Sequence, residues 1–215
     1  LLIVTATIII FLIYKSYSFI GVAGIVLAFW IILNNTENLI QKILIKYNNR
    51  KFLNNINFYN SVGMIIAHLG FGFLILGITG SSIWQKEKIL QMQVNDKIVF
   101  NKNDITFKSI NEIKGPNYLA IEGTFLITDN KNRLIAKLKP EKRYYPITNN
   151  FTSEVSIHTN LLRDLYMVLG EGNTNTGWVV KIYYNPLVIW IWIGSLTIFF
   201  GGIVSFSTNA KKINT

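Results

Sequence analysis

MIIAHLGFGFLILGITG, residues 64–80, contains one histidine, His68, and no other ionisable side chain. The apolar run around it, 62–83, is long enough to cross a bilayer as a helix, since a hydrocarbon core of about 30 Å needs roughly 20 residues. An imidazole is costly in hydrocarbon, and ionisable residues inside membranes are functional by default. The stretch therefore predicts a membrane helix with His68 as its candidate site residue.

Small residues of this segment fall on one helical face, at spacings of four, three and seven: Gly63, Ala67, Gly70 and Gly77. Such a stripe allows another helix to approach closely. His68 borders it, and Gly72, one turn further along, predicts a notch beside the imidazole. A flat macrocycle ligated by His68 would use that space, with Phe71 packing on its edge.

Spacing alone leaves two interpretations of His68 open. It is either a buried histidine bonded to a neighbouring helix or an axial haem ligand whose partner lies on a helix outside this chain. A zinc site is disfavoured, because the apolar segments carry no second histidine, cysteine or carboxylate.

Three further apolar segments, 1–14, 19–33 and 187–206, bring the predicted membrane helices to about four. The first is short and is expected to be truncated. Half of the 215 residues are hydrophobic and 15% are charged, which favours a membrane protein with a substantial polar part. Trp84, Trp190 and Trp192 fit either an interfacial aromatic belt or packing between helices.

The distribution of charge predicts the orientation of the chain in the membrane. The net charge of +10 lies mostly in the loop 34–61 and the chain ends, including the tail 207–215, with only about +4 in 84–186. Basic loops mark the cytoplasmic or matrix side, so 84–186 is expected to lie outside. Charge beside apolar segments, and not on a soluble module, argues against nucleic-acid binding. Because there is no cysteine, disulfides, thiolate nucleophiles and covalent CxxCH haem attachment are excluded.

The stretch 84–186 has short alternating runs such as KIVF, NYLAIEGTFLIT and GWVVKIYY between turn sequences, which predicts a barrel or sandwich of about six to eight strands. The run NLLRDLYMVLG is ambiguous between strand and helix. GEGNTNTG, 170–177, lacks the lysine and context of a phosphate-binding loop and is interpreted as a hairpin loop.

Other polar residues of 84–186 each have a structural and a functional interpretation. His158 is either an edge-strand histidine or a haem or partner contact. Lys142 and Arg143 are either solvated charges or contacts to a haem propionate or an acidic partner. Asp164 and Glu171 do not form a spaced acid–base pair and are expected to cap turns or form ion pairs.

Five motifs occur in order along the chain: AHLGFGFLILGITGSSIWQKEK, GPNYLAIEGTFLIT, LKPEKRYYP, TSEVSIHTNLLRDLYMVLGE and GWVVKIYYNPLVIWIWIGSLTIFFGG. Together they resemble the C-terminal portion of the CcmF/CycK/NrfE family, whose members are haem lyase components of cytochrome c-type biogenesis. The resemblance covers about 61–202. It implies haem handling in the bacterial cytoplasmic membrane, with the β domain in the periplasm, or alternatively in the mitochondrial inner membrane.

The resemblance also implies a site and partners. His68 would be an axial ligand, and iron ligand, of a membrane haem b, with Gly72 and Phe71 lining it. The expected partners are the N-terminal part of the same protein, CcmH/CcmI-type thiol proteins, the haem chaperone CcmE and apocytochrome c. No catalytic residue is expected in this chain.

The family's tryptophan-rich segment, external haem-binding histidines and other membrane histidine do not occur in this sequence. The chain is therefore expected to be inactive alone and to act as a haem lyase only within the complete protein or complex. The alternative is a non-enzymatic, membrane-anchored scaffold of a cytochrome assembly complex. A transporter is disfavoured by one histidine and no intramembrane acid.

Overall fold

A computed structural model describes residues 18–48 and 56–213. These residues form three helices, α1 (Phe19–Asn48), α2 (Ile56–Ile83) and α3 (Val188–Ile213), and ten strands between α2 and α3. The strands belong to a compact unit, Gln85–Asn185, separate from the unit that contains the helices. The predicted segment 1–14 lies outside the described residues.

The three helices each contain a stretch long and apolar enough to cross a membrane: Phe19–Leu44, Ser61–Ile83 and Val188–Ser207. A membrane helix must satisfy its backbone polar groups internally, which these uninterrupted helices do. Membrane helices joined to a β domain are therefore what the structure supports, whereas the side on which the β domain lies stays a prediction.

Helix α1 continues well past residue 33, into the predicted basic loop. The polar side chains that follow donate hydrogen bonds to carbonyls four residues earlier, Asn34 to Trp30 at 2.9 Å and Thr36 to Ile32 at 2.7 Å. These local bonds let the polar run follow the helix without leaving side-chain donors unpaired. The stretch 34–61 is thus helical up to Asn48 and again from Ile56, and is not a continuous loop.

The predicted small-residue stripe of α2 is confirmed as the contact with α3. A Cβ added at Gly70 would lie 2.7 Å from the Gly194 carbonyl oxygen, and one added at Gly63 would lie 2.8 Å from that of Gly201. Because these neighbours are backbone atoms, no side chain can move aside. The two helices therefore approach at a distance that only glycine permits.

The β domain has two sheets. The first is four-stranded, in the order β1-β10-β9-β8, and the second is six-stranded, in the order β2-β3-β4-β6-β7 with β5 also paired to β4. The strands are β1 Lys86–Met92, β2 Lys97–Phe100, β3 Asn103–Lys114, β4 Leu119–Thr128, β5 Leu134–Leu138, β6 Glu141–Tyr145, β7 Asn150–Glu154, β8 Ser156–Thr159, β9 Arg163–Asn173 and β10 Gly177–Pro186.

The core lies between the sheets, as expected for a sandwich. Phe107 and Phe125 are fully buried and stacked, with ring centroids 4.4 Å apart. From the other sheet, Leu165, Met167 and Leu169 are fully buried. Their period of two resolves the ambiguous run NLLRDLYMVLG in favour of a strand, β9.

The strand number, ten, exceeds the predicted six to eight. Two of the additional strands are the charged β6 and the polar β7, neither of which shows an apolar alternation. The predicted hairpin loop at 170–177 is shorter than its glycines suggested. Asn173 closes the turn by accepting hydrogen bonds from the N–H groups of Asn175 and Thr176 at 2.9 and 2.8 Å.

Candidate functional site

His68 lies in the middle of α2 and is exposed at the surface of the helical unit. Its Nδ1 is 2.7 Å from the carbonyl oxygen of Met64, one turn earlier. A carbonyl only accepts, so this bond requires a proton on Nδ1, and in the neutral ring the lone pair is then on Nε2. This bond gives His68 the tautomer of a neutral imidazole metal ligand, with the second nitrogen held by a carbonyl.

The face of α2 around His68 is apolar, and several of its side chains are exposed. Met64 and Phe71, which lie on the same side of the helix, are 54% and 50% exposed, and Ile78 further along is 48% exposed. The two neighbouring helices contact other faces of α2: α3 packs on the glycine stripe and α1 packs on Gly72. In a bilayer this face would place an imidazole against lipid, which is unfavourable unless a partner covers it.

Gly72 does not provide the notch predicted beside His68. A Cβ at this position would lie 2.7 Å from Ile32 Cγ1 and 3.2 Å from Ile31 Cγ2, so α1 fills the space. The glycine serves close packing of two helices. Phe71, in contrast, lies on the same exposed face as His68.

The three tryptophans at the predicted membrane boundaries differ in their exposure and packing. Trp84 is only 4% exposed and is part of an apolar cluster with Leu187. Trp190 packs against Phe73, with ring centroids 5.2 Å apart. Trp192 is 66% exposed. Packing therefore accounts for the first two, and only Trp192 is available to a surrounding bilayer.

The basic pair of β6 is engaged within the β domain. Lys142 forms an ion pair with Glu171 at 2.9 Å, and Arg143 forms one with Glu141 at 2.8 Å. The Glu141 carboxylate raises the pKa of the Arg143 guanidinium, which also lies 4.4 Å above the Tyr118 ring. These charges therefore have structural partners of their own.

His158 is half-buried on the edge strand β8, as the edge-strand interpretation expects. Across the β8–β9 pair, Thr159 is opposite Asp164. Burial raises the pKa of the Asp164 carboxyl, while the Thr159 hydrogen bond and nearby His158 lower it. Glu171 has the opposite shift, because Lys142 lowers its pKa. The ion pair predicted for Glu171 is thus present.

The β domain also contains a groove that sequence reasoning missed. Its volume is about 610 Å³, and its lining includes Leu119, Ile121, Tyr144, Phe151, Lys114 and Lys142. Strand pairing aligns Lys114, Leu119, Tyr144 and Phe151 in one row across four strands. Only the register brings these residues together, so no local sequence signal would have found the groove.

Within the described residues, no group of three or more His, Cys, Asp or Glu side chains is placed to hold a metal ion. His68 and His158 lie in different units of the chain. A haem iron needs only one axial ligand from each side, so His68 alone suits one side of such a group.

The family model described as "CcmF C-terminal beta-sandwich" matches residues 83–186. The chain is 36% identical over 143 residues to the cytochrome c-type biogenesis protein CcmF of Escherichia coli K12, covering 66% of this chain and 22% of that protein. It is 35% identical over 144 residues to CcmF of Pseudomonas aeruginosa, with 66% and 22% covered. The chain thus spans about a fifth of these relatives.

Rhodobacter capsulatus provides a similar relative, the cytochrome c-type biogenesis protein ccl1, 34% identical over 145 residues, with 67% of this chain and 22% of that protein covered. Among solved structures, "Cytochrome c Heme Lyase CcmF" superimposes with a TM-score of 0.68 at 16% identity, over 95% of this chain and 33% of that one. At this identity the likeness concerns the fold, which includes both the helices and the sandwich.

Proposed function

Because the chain belongs to the CcmF family through its C-terminal β-sandwich, residues 83–186, we propose that it is part of a haem lyase that attaches haem covalently to apocytochrome c. In this proposal α2 supplies one axial ligand of a membrane haem b, His68, and the β domain binds partners outside the membrane. The activity belongs to the complete protein or complex.

The observation that carries this proposal is the geometry of His68. Its Nδ1 donates to the Met64 carbonyl at 2.7 Å, which holds the ring and leaves Nε2 for iron. Met64 and Phe71 provide an exposed apolar surface on either side of the imidazole. His68 would supply one ligand to the haem iron, and the N-terminal part of the protein is the proposed source of the second.

The chemistry requires no acid–base pair from this chain. Thioether formation adds the S–H of each apocytochrome cysteine across a vinyl C=C of the substrate haem, with no net oxidation. When bound, the membrane haem b would supply an electron that keeps the substrate iron reduced. His68 would set the potential of that haem through ligand identity and burial.

The proposed location is the bacterial cytoplasmic membrane, with the β domain in the periplasm. The basic residues of 34–61 and of the tail support this orientation. The partners proposed for the β domain are CcmH/CcmI-type thiol proteins, haem-loaded CcmE and apocytochrome c. Its groove, with the exposed Leu119 and Phe151, supports a binding role.

Absorption spectroscopy tests the ligand role. The chain is co-purified with the N-terminal part of the same protein, where a low-spin b-type spectrum is expected. His68→Gly should lose it and recover it with added imidazole, whereas His158→Ala should keep it. Unchanged haem content in His68→Gly would contradict ligation and favour the scaffold, and loss without rescue by imidazole would make His68 a structural residue.

A further inference from the structure

The turn between β8 and β9 presents two leucines to the surroundings. Leu161 and Leu162 are 61% and 66% exposed. The turn itself is well braced: Asn160 Oδ1 accepts hydrogen bonds from the N–H groups of Leu162 and Arg163, both at 2.9 Å. Turns are normally polar, so a braced turn that holds two adjacent leucines outward needs an apolar environment to explain it.

The position of this turn in its sheet identifies that environment. Strands β9 and β10 are neighbours joined by a short turn, and the Tyr166 ring lies against the Tyr183 ring at 5.5 Å. Four residues back from Tyr166 is Leu162. Four residues forward from Tyr183 is 187, just past the end of β10 at Pro186. The leucines therefore lie at the sheet end where β10 finishes.

Both membrane connections leave from this same end of the sheet. Helix α3 begins at Val188, two residues after β10. Strand β1 begins at Lys86, three residues after α2 ends, and Lys86 is paired with Tyr184. Both connections to the apolar helices therefore leave the β unit at the end of the sheet where the leucines lie.

The residues beside the turn are of the types found at membrane interfaces. The Arg163 guanidinium lies over the Tyr184 ring at 5.6 Å. A tyrosine and an arginine next to exposed leucines are typical of the boundary between lipid headgroups and acyl chains.

We propose that Leu161 and Leu162 insert into the interfacial layer of the bilayer that the helices cross. The occupant of this surface is lipid. The inference depends on the helices spanning a membrane and is independent of the haem proposal for His68.

Because the chain has no cysteine, single cysteines can be labelled without background. Leu162→Cys and Leu161→Cys carry an environment-sensitive NBD probe in the full chain, reconstituted into phosphatidylcholine–phosphatidylglycerol vesicles. The matched control is Ile147→Cys, 92% exposed in the turn after β6. The Lys142–Glu171 ion pair joins β6 to the other end of β9, so this turn is remote from the leucines.

The probes at 161 and 162 should emit at shorter wavelength than the probe at 147 and be severalfold less quenched by aqueous iodide. Nitroxide-labelled phosphatidylcholine should quench them and leave the control unaffected. Iodide quenching equal to that at 147 would overturn the proposal. Protection from both quenchers would also overturn it, because the leucines would then contact protein.

Discussion

At the residue scale, Phe107 is expected to be a main contributor to the stability of the β domain. It is fully buried and stacks on Phe125 at 4.4 Å. Phe107→Ala should lower the free energy of unfolding by about 3–5 kcal/mol, since it removes a large apolar side chain and leaves a cavity. Denaturant unfolding in detergent, followed by fluorescence that includes Trp178 of the same cluster, measures this.

The matched control for Phe107→Ala is Val99→Ala, because Val99 is 64% exposed. Exposed substitutions usually change the unfolding free energy by less than about 0.5 kcal/mol. Similar losses in the two variants would mean that the core between the sheets is not packed as the structure has it.

Asp164 should make the folded protein less stable as the pH rises, whereas a carboxylate in an ordinary ion pair makes it more stable. Burial raises the pKa of its carboxyl above 3.8, so the folded state binds a proton more tightly than the unfolded chain. Stability therefore decreases as pH rises from 3.8 through the raised pKa. Asp164→Asn removes this decrease, and the variant should be the more stable one at neutral pH, with its advantage shrinking at lower pH.

Urea unfolding of both proteins at a series of pH values measures the effect of Asp164→Asn. Glu171→Gln serves as the opposite case, because Lys142 lowers the pKa of Glu171 and the variant loses a contribution that is present at neutral pH. If Asp164→Asn destabilised the protein as much at pH 7 as at pH 4, the hydrogen bond with Thr159, and not burial, would dominate at this site.

Sequence reasoning singled out His68 as the candidate site residue but did not predict its surroundings. A histidine within an apolar run can be recognised from the sequence alone, because an imidazole is costly to place in an apolar environment in any fold. Which ring nitrogen bonds Met64 depends on a rotamer, and which helix packs on Gly72 depends on the position of α1. Neither is encoded in residue spacing, which is why the predicted notch was wrong.

At the element scale, two adjacent glycines of α3 allow a sharp test of helix packing. A Cβ at Gly201 would lie 2.5 Å from Ala67 N and 2.8 Å from the Gly63 carbonyl oxygen, whereas nothing lies within 4 Å of a Cβ at Gly202. Gly201→Ala should destabilise the protein by about 1–3 kcal/mol through overpacking. Gly202→Ala should be neutral or slightly stabilising, because alanine is the better helix former.

Thermal unfolding of the two glycine variants in detergent, with yield of folded protein as a second readout, separates these outcomes. Both variants change helix propensity equally, so the difference between them reports the α2–α3 contact alone. Equal midpoints would show that the helices are further apart than the structure has them.

Helices and strands could be predicted from the sequence where a periodic pattern of residues on one face determines them. The glycine stripe needed only helical periodicity. The run that forms β9 stayed ambiguous between strand and helix, although its buried residues follow a period of two. Strand β6 was not recognised because its residues, Glu141–Tyr145, are all half-buried and mostly charged. Helix α1 was predicted too short because the side-chain bonds of Asn34 and Thr36 to the backbone are not a property of hydropathy.

At the scale of the whole molecule, the helical unit and the β domain present different kinds of surface. The helices present an imidazole within an apolar face, and the sandwich, inserted between α2 and α3, presents a groove and polar edges. Each unit has an apolar core of its own. Substitutions in one unit should therefore leave the other intact, and the proposed haem-binding and partner-binding roles should be separable by mutation.

Orientation in the membrane is the remaining property of the whole molecule, and it follows from charge. The basic residues of 34–61 and of the tail predict that these stretches stay inside and that 84–186 is outside. In cells expressing the full chain, a membrane-impermeant maleimide should label Ile147→Cys without permeabilisation, since this side chain is 92% exposed. Lys51→Cys should react only after permeabilisation. The parent chain, which has no cysteine, gives the background, and the reverse labelling pattern would place the β domain on the cytoplasmic side and exclude a periplasmic partner-binding role.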